Sequence, residues 1–496
     1  MRRHGRILPD SGESMNFEII RYIQGMVLKF EALFFLLPCL VAVIYSEKEG
    51  LVYLGMAAVC GLLGYLINRE KPENRAYCAA EGLITVAISW IVLSVFGAIP
   101  FVITREIPSF TDALFETVSG FTTTGASILA TVEDLSHASL FWRSFTHWVG
   151  GMGVSVFILA IMPMTGGYNM HLMRAESPGP SVGKLVPKMR DSAKILYLIY
   201  LSLTVAEIVL LAITGMPLFD AVTISFGSAG TGGFAVRNSG MAEYSWLMQS
   251  IIAVFILLFG VNFNFYFFLL GKHKKDAFKM TEVRWYGVIV GVSVILITSN
   301  IYRYHYFGSV TKCLHEALFQ VASIITTTGF SSTDFNMWPN LSKTILVLLM
   351  FIGACAGSTG GGFKVSRVVI LAKTVKREIG RFIHPRSVRA IKMDGKAADA
   401  EMVRGVGTYL GTYVFILVLS ILLVGLFEET DLETNFTAVA ATFNNIGPGL
   451  SLVGPAANYG FFNIPTKYVL IFDMLAGRLE LYPMLMLFVP SAWRRK

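Results

Sequence analysis

The chain has 496 residues, of which 54% are hydrophobic and 15% charged, with a mean hydropathy of +0.60 and a net charge of +8. A soluble domain this apolar would aggregate, so the composition excludes that class and indicates a membrane protein. About 20 apolar residues are needed for one helical crossing of the bilayer. The sequence predicts ten spans: 30–46, 51–68, 82–104, 142–163, 194–215, 246–270, 284–301, 342–372, 405–427 and 466–490.

The positive charge follows the predicted topology. Of the 41 Lys and Arg residues, 32 lie in six segments: 1–29, 66–81, 164–194, 271–284, 364–404 and 494–496. With ten spans, all six segments fall on one side of the membrane. The positive-inside rule then predicts that both termini are cytoplasmic, and it accounts for the basic charge without a nucleic-acid partner.

Residues 1–78 are predicted to form a leading pair of transmembrane helices. Beyond them, four fourteen-residue segments each end in a polar tract that closes on glycine, and the glycines are 108, 96 and 118 residues apart. This spacing indicates a fourfold internal repeat. The segments are Asp112 to Gly125, Asp220 to Gly233, Glu316 to Gly329 and Thr434 to Gly447. The predicted repeats span residues 79–170, 190–275, 280–395 and 400–496.

Each repeat is predicted to consist of a span, a short half-helix, the polar tract and a second span. A half-helix of about a dozen residues cannot cross the bilayer, so it should dip in and return as a re-entrant loop. For one segment, small residues that pack helices together are an equally ordinary explanation. Four copies at one register indicate an all-α polytopic protein with pseudo-fourfold symmetry around one pore, like a potassium channel.

The polar tracts have the chemistry of a cation filter. A dehydrated alkali cation needs several oxygen ligands, which backbone carbonyls supply, and glycine allows the backbone angles that point them inward. Threonine hydroxyls could add ligands or brace the loop from behind. The predicted filter residues are Thr122, Thr123, Thr124, Gly125, Gly230, Thr231, Gly232, Gly233, Thr326, Thr327, Thr328, Gly329, Asn444, Asn445, Ile446 and Gly447.

A glycine-rich break interrupts the predicted span 342–372. Its spacing resembles a phosphate-binding loop, but Phe363 stands where that motif needs lysine. Irregular backbone in the interior of a membrane span is tolerated where it lines an aqueous path or is buried in protein. We expect a gate here, with a packing kink as the alternative. The gate residues are Gly353, Gly357, Ser358, Thr359, Gly360, Gly361 and Gly362, together with Arg478.

Arg478 lies in the predicted last span, where a charge is costly unless it faces water or a partner. One interpretation is a positive charge under the filter that limits cation flow and contacts the gate. The alternative is a salt bridge with Asp473 or Glu480. Asp112, Asp220 and Glu316, at the predicted starts of three half-helices, are expected either to cap them or to concentrate cations at an outer mouth.

The four repeats, the glycine in each, the tracts TTTGA and NNIGPG and the leading helix pair resemble the Trk/Ktr/HKT superfamily of cation transporters, specifically the bacterial TrkH-type potassium-uptake subunit. The resemblance implies a homodimer on a cytoplasmic ring of nucleotide-binding RCK (KTN) subunits of the TrkA type. It also implies an intramembrane gate loop in the bacterial inner membrane. In that family, glycine in all four filters goes with potassium, and serine at the first goes with sodium in some plant members.

Potassium is therefore the expected ion, carried and bound in the filter without an organic cofactor. The unequal tracts predict moderate selectivity, with passage of rubidium and some sodium. A sodium-coupled or sodium-permeable secondary transporter, including a symporter, is the alternative. However, two crossings per repeat give all copies one orientation, unlike inverted repeats. The histidines and cysteines form no metal-ligand or catalytic spacing, so an enzyme is not expected.

Overall fold

The computed structural model describes residues 15–70, 72, 79–153, 189–271, 274–386 and 390–493. Helices dominate this part of the chain, and the leading pair is Phe17–Tyr45 and Gly50–Ile67. The pair packs on the first repeat through aromatic side chains. The ring centroids of Phe35 and Trp142 are 4.6 Å apart, and the Tyr53 hydroxyl lies 2.9 Å from that of Ser139.

The repeats follow in chain order, and every predicted half-helix is present. The half-helices are Phe110–Phe121, Leu218–Gly230, Val310–Ile325 and Leu432–Phe443. Unbroken helices precede them at Ala79–Thr104, Met189–Ile213, Thr281–Arg303 and Ala400–Phe427. Helices that follow them are His137–Met152, Trp246–Phe259 with Phe263–Leu270, Asn340–Ile352 with Val365–Ile383, and Ile464–Arg478 with Tyr482–Met486.

Shorter elements connect these helices. They are the helices Lys274–Ala277 and Pro490–Trp493, the 3-10 turns Phe335–Met337 and Ser451–Val453, and the strands Lys392–Met393 and Lys396–Ala397. The two strands form an antiparallel hairpin in which Lys392 pairs with Ala397 and Met393 with Lys396. The hairpin lies in the basic segment that the sequence assigns to the cytoplasmic side.

The long helices carry apolar side chains on their outer faces. Leu40 is 61% exposed, Ile44 69% and Leu62 60%, although all three lie on apolar helices. Exposed apolar side chains on long apolar helices are typical of surfaces that contact lipid or another protein. Among the described residues, six helices are long and apolar enough to cross a membrane, or seven if the bent pair Trp246–Phe259 and Phe263–Leu270 counts as one. The chain is a multi-pass membrane protein.

The structure corrects two of the predicted spans. The predicted span 246–270 bends by 91° between Phe259 and Phe263. The predicted span 466–490 stops at Arg478, where Glu480 and Leu481 have positive φ values of 57° and 67°. Apolar residues lie on both sides of each break, with Asn262 at the first and Glu480 at the second, so average hydropathy did not locate the breaks. The predicted break in 342–372 is confirmed by the two helices Asn340–Ile352 and Val365–Ile383. Part of the predicted span 142–163 lies outside the described residues.

A buried ion pair ties the first half-helix to the helix that follows it. Arg143 donates to Glu116 at 2.6 Å, and the two side chains are 2% and 0% exposed. Glu116 also accepts from the Ser127 hydroxyl and the Ile128 amide, both at 2.9 Å. Arg143 reaches the Ala235 carbonyl of the second repeat at 3.3 Å. The pair therefore links two neighbouring repeats behind their polar tracts.

We predict that Arg143→Ala strongly destabilises the protein. Removing one partner of a buried pair costs about 3–5 kcal/mol, because the other charge stays buried without compensation. The matched control is Arg237→Ala, whose side chain is 38% exposed and pairs with Asp220 and Glu243. An exposed pair contributes about 1 kcal/mol or less. Thermal unfolding in detergent should show a clearly larger fall in Tm for Arg143→Ala. Equal shifts would contradict the assigned role.

Candidate functional site

The four half-helices end in the same hydrogen-bonded turn. The amide of the residue just before each closing glycine bonds back to a carbonyl five residues earlier: Thr124 to Ser119 at 2.9 Å, Gly232 to Gly227 at 2.8 Å, Thr328 to Ser323 at 2.8 Å and Ile446 to Ala441 at 2.9 Å. This is the Schellman arrangement, which satisfies helix-end carbonyls and needs a left-handed residue. Tracts with different sequences thus adopt the same backbone conformation.

The backbone angles repeat as closely as the hydrogen bonds. The residue two before each tract glycine is left-handed, with φ of 55° at Thr123, 54° at Thr231, 58° at Thr327 and 56° at Asn445. The glycines follow at 79°, 78°, 85° and 97° for Gly125, Gly233, Gly329 and Gly447. A β-branched threonine in this region is strained by about 1–3 kcal/mol, and such strain concentrates at functional sites.

Each tract glycine packs against the next tract. A Cβ added to Gly125 would collide with the carbonyl oxygen of Gly232, and one added to Gly233 with that of Thr328. A Cβ on Gly329 would collide with the Ile446 carbonyl, and one on Gly447 would approach the carbonyls of Thr124 and Gly125. The contacts therefore run from the first tract to the second, third, fourth and back to the first. The four tracts, which contain the sixteen predicted filter residues, form a closed ring.

The threonine hydroxyls brace the tracts from behind. Thr122 donates to the Val118 carbonyl at 2.6 Å and lies 2.8 Å from the Thr124 hydroxyl. Thr326 repeats the pattern with Ala322 at 2.7 Å and Thr328 at 2.7 Å. Of the two roles predicted for the hydroxyls, these contacts correspond to bracing.

Outside the ring, each tract has a different support. His147 contacts the Gly120 carbonyl at 2.7 Å and accepts from the Phe234 amide at 3.2 Å, joining the first and second tracts. Asn445 donates to the Thr124 hydroxyl at 3.0 Å, joining the fourth to the first. Tyr459 donates to the Gly447 carbonyl at 2.6 Å. The four tracts therefore have equivalent backbone conformations, but different side chains support them from outside the ring.

A cavity opens on the glycine side of the ring. Its volume is about 230 Å³, and residues of all four repeats line it, including Gly125, Gly233, Gly329 and Gly447. The buried Arg143 also reaches its wall. The cavity therefore adjoins the ring on the side of its four glycines.

The interrupted span places its loop on the opposite side of the ring. We call residues 353–364 the break loop. The Gly361 amide donates to the Thr327 hydroxyl at 2.6 Å. A Cβ on Gly360 would approach the Thr326 carbonyl at 2.8 Å, and one on Gly361 the Asn444 carbonyl at 2.5 Å. The break loop therefore lies directly against the ring on its helix side.

Two buried elements hold the break loop. Glu282 accepts from the amides of Ala356 in the loop at 2.7 Å and of Ser366 at the start of the next helix at 3.0 Å, and so ties the two together with one carboxylate. The bend in 246–270 supplies the second support, because Cys355 donates to the Gly260 carbonyl at 3.1 Å and Phe263 to the Gly357 carbonyl at 3.0 Å. Backbone groups that lack a helical partner at one break are thus hydrogen-bonded by those of the other break. Irregular backbone within a membrane requires such partners.

Arg478 joins the break loop to the first repeat. It donates to the Thr359 carbonyl at 2.7 Å and to the carbonyls of Gly150 and Gly151 at 2.5 and 2.8 Å. Asp473 and Glu480, the two carboxylates considered for a salt bridge with Arg478, have other partners. Glu480 pairs with Arg367, and Asp473 accepts from Ser420 at 2.6 Å. Of the two interpretations of Arg478, the structure therefore has its contact with the break loop, the predicted gate, and not the salt bridge.

The acidic residues at the half-helix starts are not a ring of free carboxylates. Asp112 pairs with Lys467 at 2.6 Å, and Asp220 with Arg237 at 3.0 Å. Glu316 lies in the second turn of its helix, which begins at Val310, so its predicted position at the start was wrong. Ser332 donates to it at 2.5 Å.

Comparison with known proteins identifies the family. The family model TrkH, described as a cation transport protein, matches residues 55–495. The chain belongs to the TrkH family. It is 37% identical to the Trk system potassium uptake protein TrkH of Salmonella typhimurium and 38% to that of Vibrio parahaemolyticus, each over 97% of this chain and 100% of the relative. The crystal structure of the potassium transporter TrkH from Vibrio parahaemolyticus matches with a TM-score of 0.86 and 35% identity, over 97% of this chain and 100% of that one.

Sequence reasoning missed several residues of this TrkH-family site. They are Glu116, Arg143, His147, Glu282, Lys364 and Tyr459. Most of them reach a tract, its flanking residues or the break loop from elsewhere in the chain, for example Glu282 across 74 residues from Ala356, whereas Lys364 belongs to the loop itself. A charged residue at the edge of an apolar run was the available signal for Glu282 and Lys364. For His147 and Tyr459 the sequence has no such signal.

We predict that Glu282→Ala loosens the break loop. A hydrogen bond to a charged group contributes about 1.5–3 kcal/mol, so losing two should raise the open fraction by at least about tenfold. Cys355, a buried loop residue, serves as the probe in a chain whose other cysteines are replaced by serine. Maleimide labelling of Cys355 should accelerate in Glu282→Ala but not in Glu401→Ala, an exposed first-turn glutamate. Unchanged labelling would contradict the clamp.

Proposed function

We propose that this chain takes up potassium through a gated, channel-like pore, with the four-tract ring as its selectivity filter. The closed cyclic contact of Gly125, Gly233, Gly329 and Gly447 with their neighbours carries the proposal. Rings of backbone carbonyls replace the hydration shell of potassium. The names of the relatives, potassium uptake proteins of a Trk system, support the choice of ion.

The break loop is the proposed gate. It lies against Thr327 on one side and is held by Glu282 and Arg478 on the other. Conduction requires that it move away from the ring. A loop fixed by a small number of hydrogen bonds can do so at modest cost, whereas a continuous helix at this depth could not.

The assembly and orientation are also proposed. We infer a homodimer in the bacterial inner membrane with both termini in the cytoplasm. The cytoplasmic partner is a TrkA-type RCK/KTN nucleotide-binding subunit that docks on the basic segment 364–404. The proposed repeats are residues 79–170, 190–275, 280–395 and 400–496, after the leading pair in 1–78. Membership of the TrkH family supports a partner, since the relatives are named as parts of a system.

Gly125→Ser tests the filter. A side chain at Gly125 meets the Gly232 carbonyl and the position has a positive φ, so the ring must distort and lose its fit to dehydrated potassium. We expect the ratio of rubidium to sodium flux into liposomes to fall by about tenfold or more, which corresponds to about 1.4 kcal/mol of discrimination.

Gly287→Ser is the matched control for Gly125→Ser. A Cβ at Gly287 meets nothing within 4 Å, so this variant should keep the wild-type ratio. Selectivity unchanged in Gly125→Ser would contradict the filter. Absence of any flux in the wild type and in a variant with an open gate would contradict the pore itself.

Removing the gate should raise flux. Deletion of Gly357–Gly362 removes the obstruction, and Arg478→Ala removes three hydrogen bonds to carbonyls around it. We expect rubidium uptake by the purified protein without its partner to rise severalfold in both variants. Arg377→Ala, on the basic helix and paired with Glu378, is the control and should leave uptake unchanged. Folded variants with wild-type uptake would show that the loop is a packing kink.

A further inference from the structure

Lys364, the last residue of the break loop, is a buried lysine on an unusual backbone. Its side chain is 2% exposed, and its φ and ψ of 82° and 135° lie in a region that is nearly restricted to glycine. The neighbouring backbone is well held, because the Lys364 amide donates to the Ile352 carbonyl at 2.9 Å. A strained residue persists only where its surroundings impose it, so the position of this side chain has a cause beyond local preference.

The ammonium of Lys364 turns back into the break loop. Its Nζ donates to the carbonyl of Gly360, the loop residue packed against the Thr326 carbonyl of the ring. The preceding carbonyl, that of Thr359, accepts from Arg478 at 2.7 Å. Two successive carbonyls directly beneath the filter therefore each accept a hydrogen bond from a fixed positive charge of the protein.

In the part of the chain that the structure describes, the carboxylates near Lys364 are engaged by other groups. Arg478 and Arg367 are the positive groups that act on it, and Glu480 and Glu282 the negative ones. Glu480 already pairs with Arg367, and Glu282 accepts from the amides of Ala356 and Ser366. A buried ammonium is costly unless it is paired. Here its described hydrogen bond is to a carbonyl, the ligand that potassium uses.

We propose that Lys364 is an internal blocking cation of the closed gate. Its ammonium occupies the Gly360 carbonyl that a permeating potassium ion would otherwise meet on leaving the filter. Opening carries the ammonium off this carbonyl, relieves the backbone strain at residue 364 and gives the ion its ligand. Permeant potassium and Lys364 then compete for one oxygen. This inference rests on the proposed gate and adds to it a second cation that acts with Arg478.

Three substitutions separate the effect of the Lys364 charge from the effect of its strained backbone conformation. Lys364→Met keeps the chain length and the Cβ without the charge, Lys364→Arg keeps the charge, and Lys364→Gly removes both the charge and the strain. Rubidium uptake is measured with the purified full chain in liposomes, over a range of potassium concentrations on the opposite side. Loss of a charged hydrogen bond should raise basal uptake by about tenfold in Lys364→Met, with Lys364→Arg close to wild type.

Competition supplies a readout that a merely structural lysine would not change. In the wild type, potassium on the opposite side should stimulate rubidium uptake, because it displaces the ammonium. In Lys364→Met and Lys364→Gly this stimulation should disappear. Lys364→Gln replaces Lys364→Met if the latter elutes as an aggregate in size-exclusion chromatography.

The inference and the proposed function fail differently. If the variant lacking Gly357–Gly362 conducts more than wild type while Lys364→Met and Lys364→Arg both behave as wild type, the blocking role is overturned and the gate stands. Equal stimulation of uptake by Lys364→Met and Lys364→Arg would also overturn it, because shape rather than charge would then matter. If wild type and the loop-deleted variant carry no rubidium, both proposals fall.

Discussion

The arrangement depends on one steric constraint: each tract glycine has the carbonyl of the next tract where its Cβ would stand. Gly125, Gly233, Gly329 and Gly447 satisfy this constraint in a closed cycle, each with a positive φ. The preceding left-handed residue and the Schellman turn deliver the glycine to that contact. The half-helix, its cap and the re-entrant return are therefore means of bringing four backbones close together. A side chain at any of these glycines would push two tracts apart.

Within this shared backbone the repeats divide their tasks. The first two are joined by the buried Arg143–Glu116 pair and by His147, and the fourth reaches the first through Asn445. In the described residues the third repeat contributes the break loop, which the bent second repeat and Glu282 hold in place. The likeness of the four repeats forms the ring, and the differences between them supply the individual side-chain and backbone partners that hold it.

Much of this fold could be predicted from periodic features of the sequence. Apolar runs predicted the helices. A glycine at the same place in four segments predicted the ring, because only glycine tolerates both the positive φ and the close approach of a neighbouring carbonyl. Breaks with a glycine-rich signature, as at Gly357–Gly362, were also predictable. Those at Asn262 and Glu480 were not, since their causes are tertiary: the first meets the break loop, and the second follows the Arg367–Glu480 pair. Supports such as His147 and Tyr459 act across the chain and leave no local pattern.

The most direct test of the account is to locate the bound ion. Crystals of the protein grown in rubidium should show anomalous density on the axis of the ring, between the carbonyls of the tracts that end in Gly125, Gly233, Gly329 and Gly447. The account predicts at least one peak there, and its loss in Gly125→Ser. Rubidium bound elsewhere in the protein, with none in an intact ring, would contradict the claim that the four tracts form a cation filter.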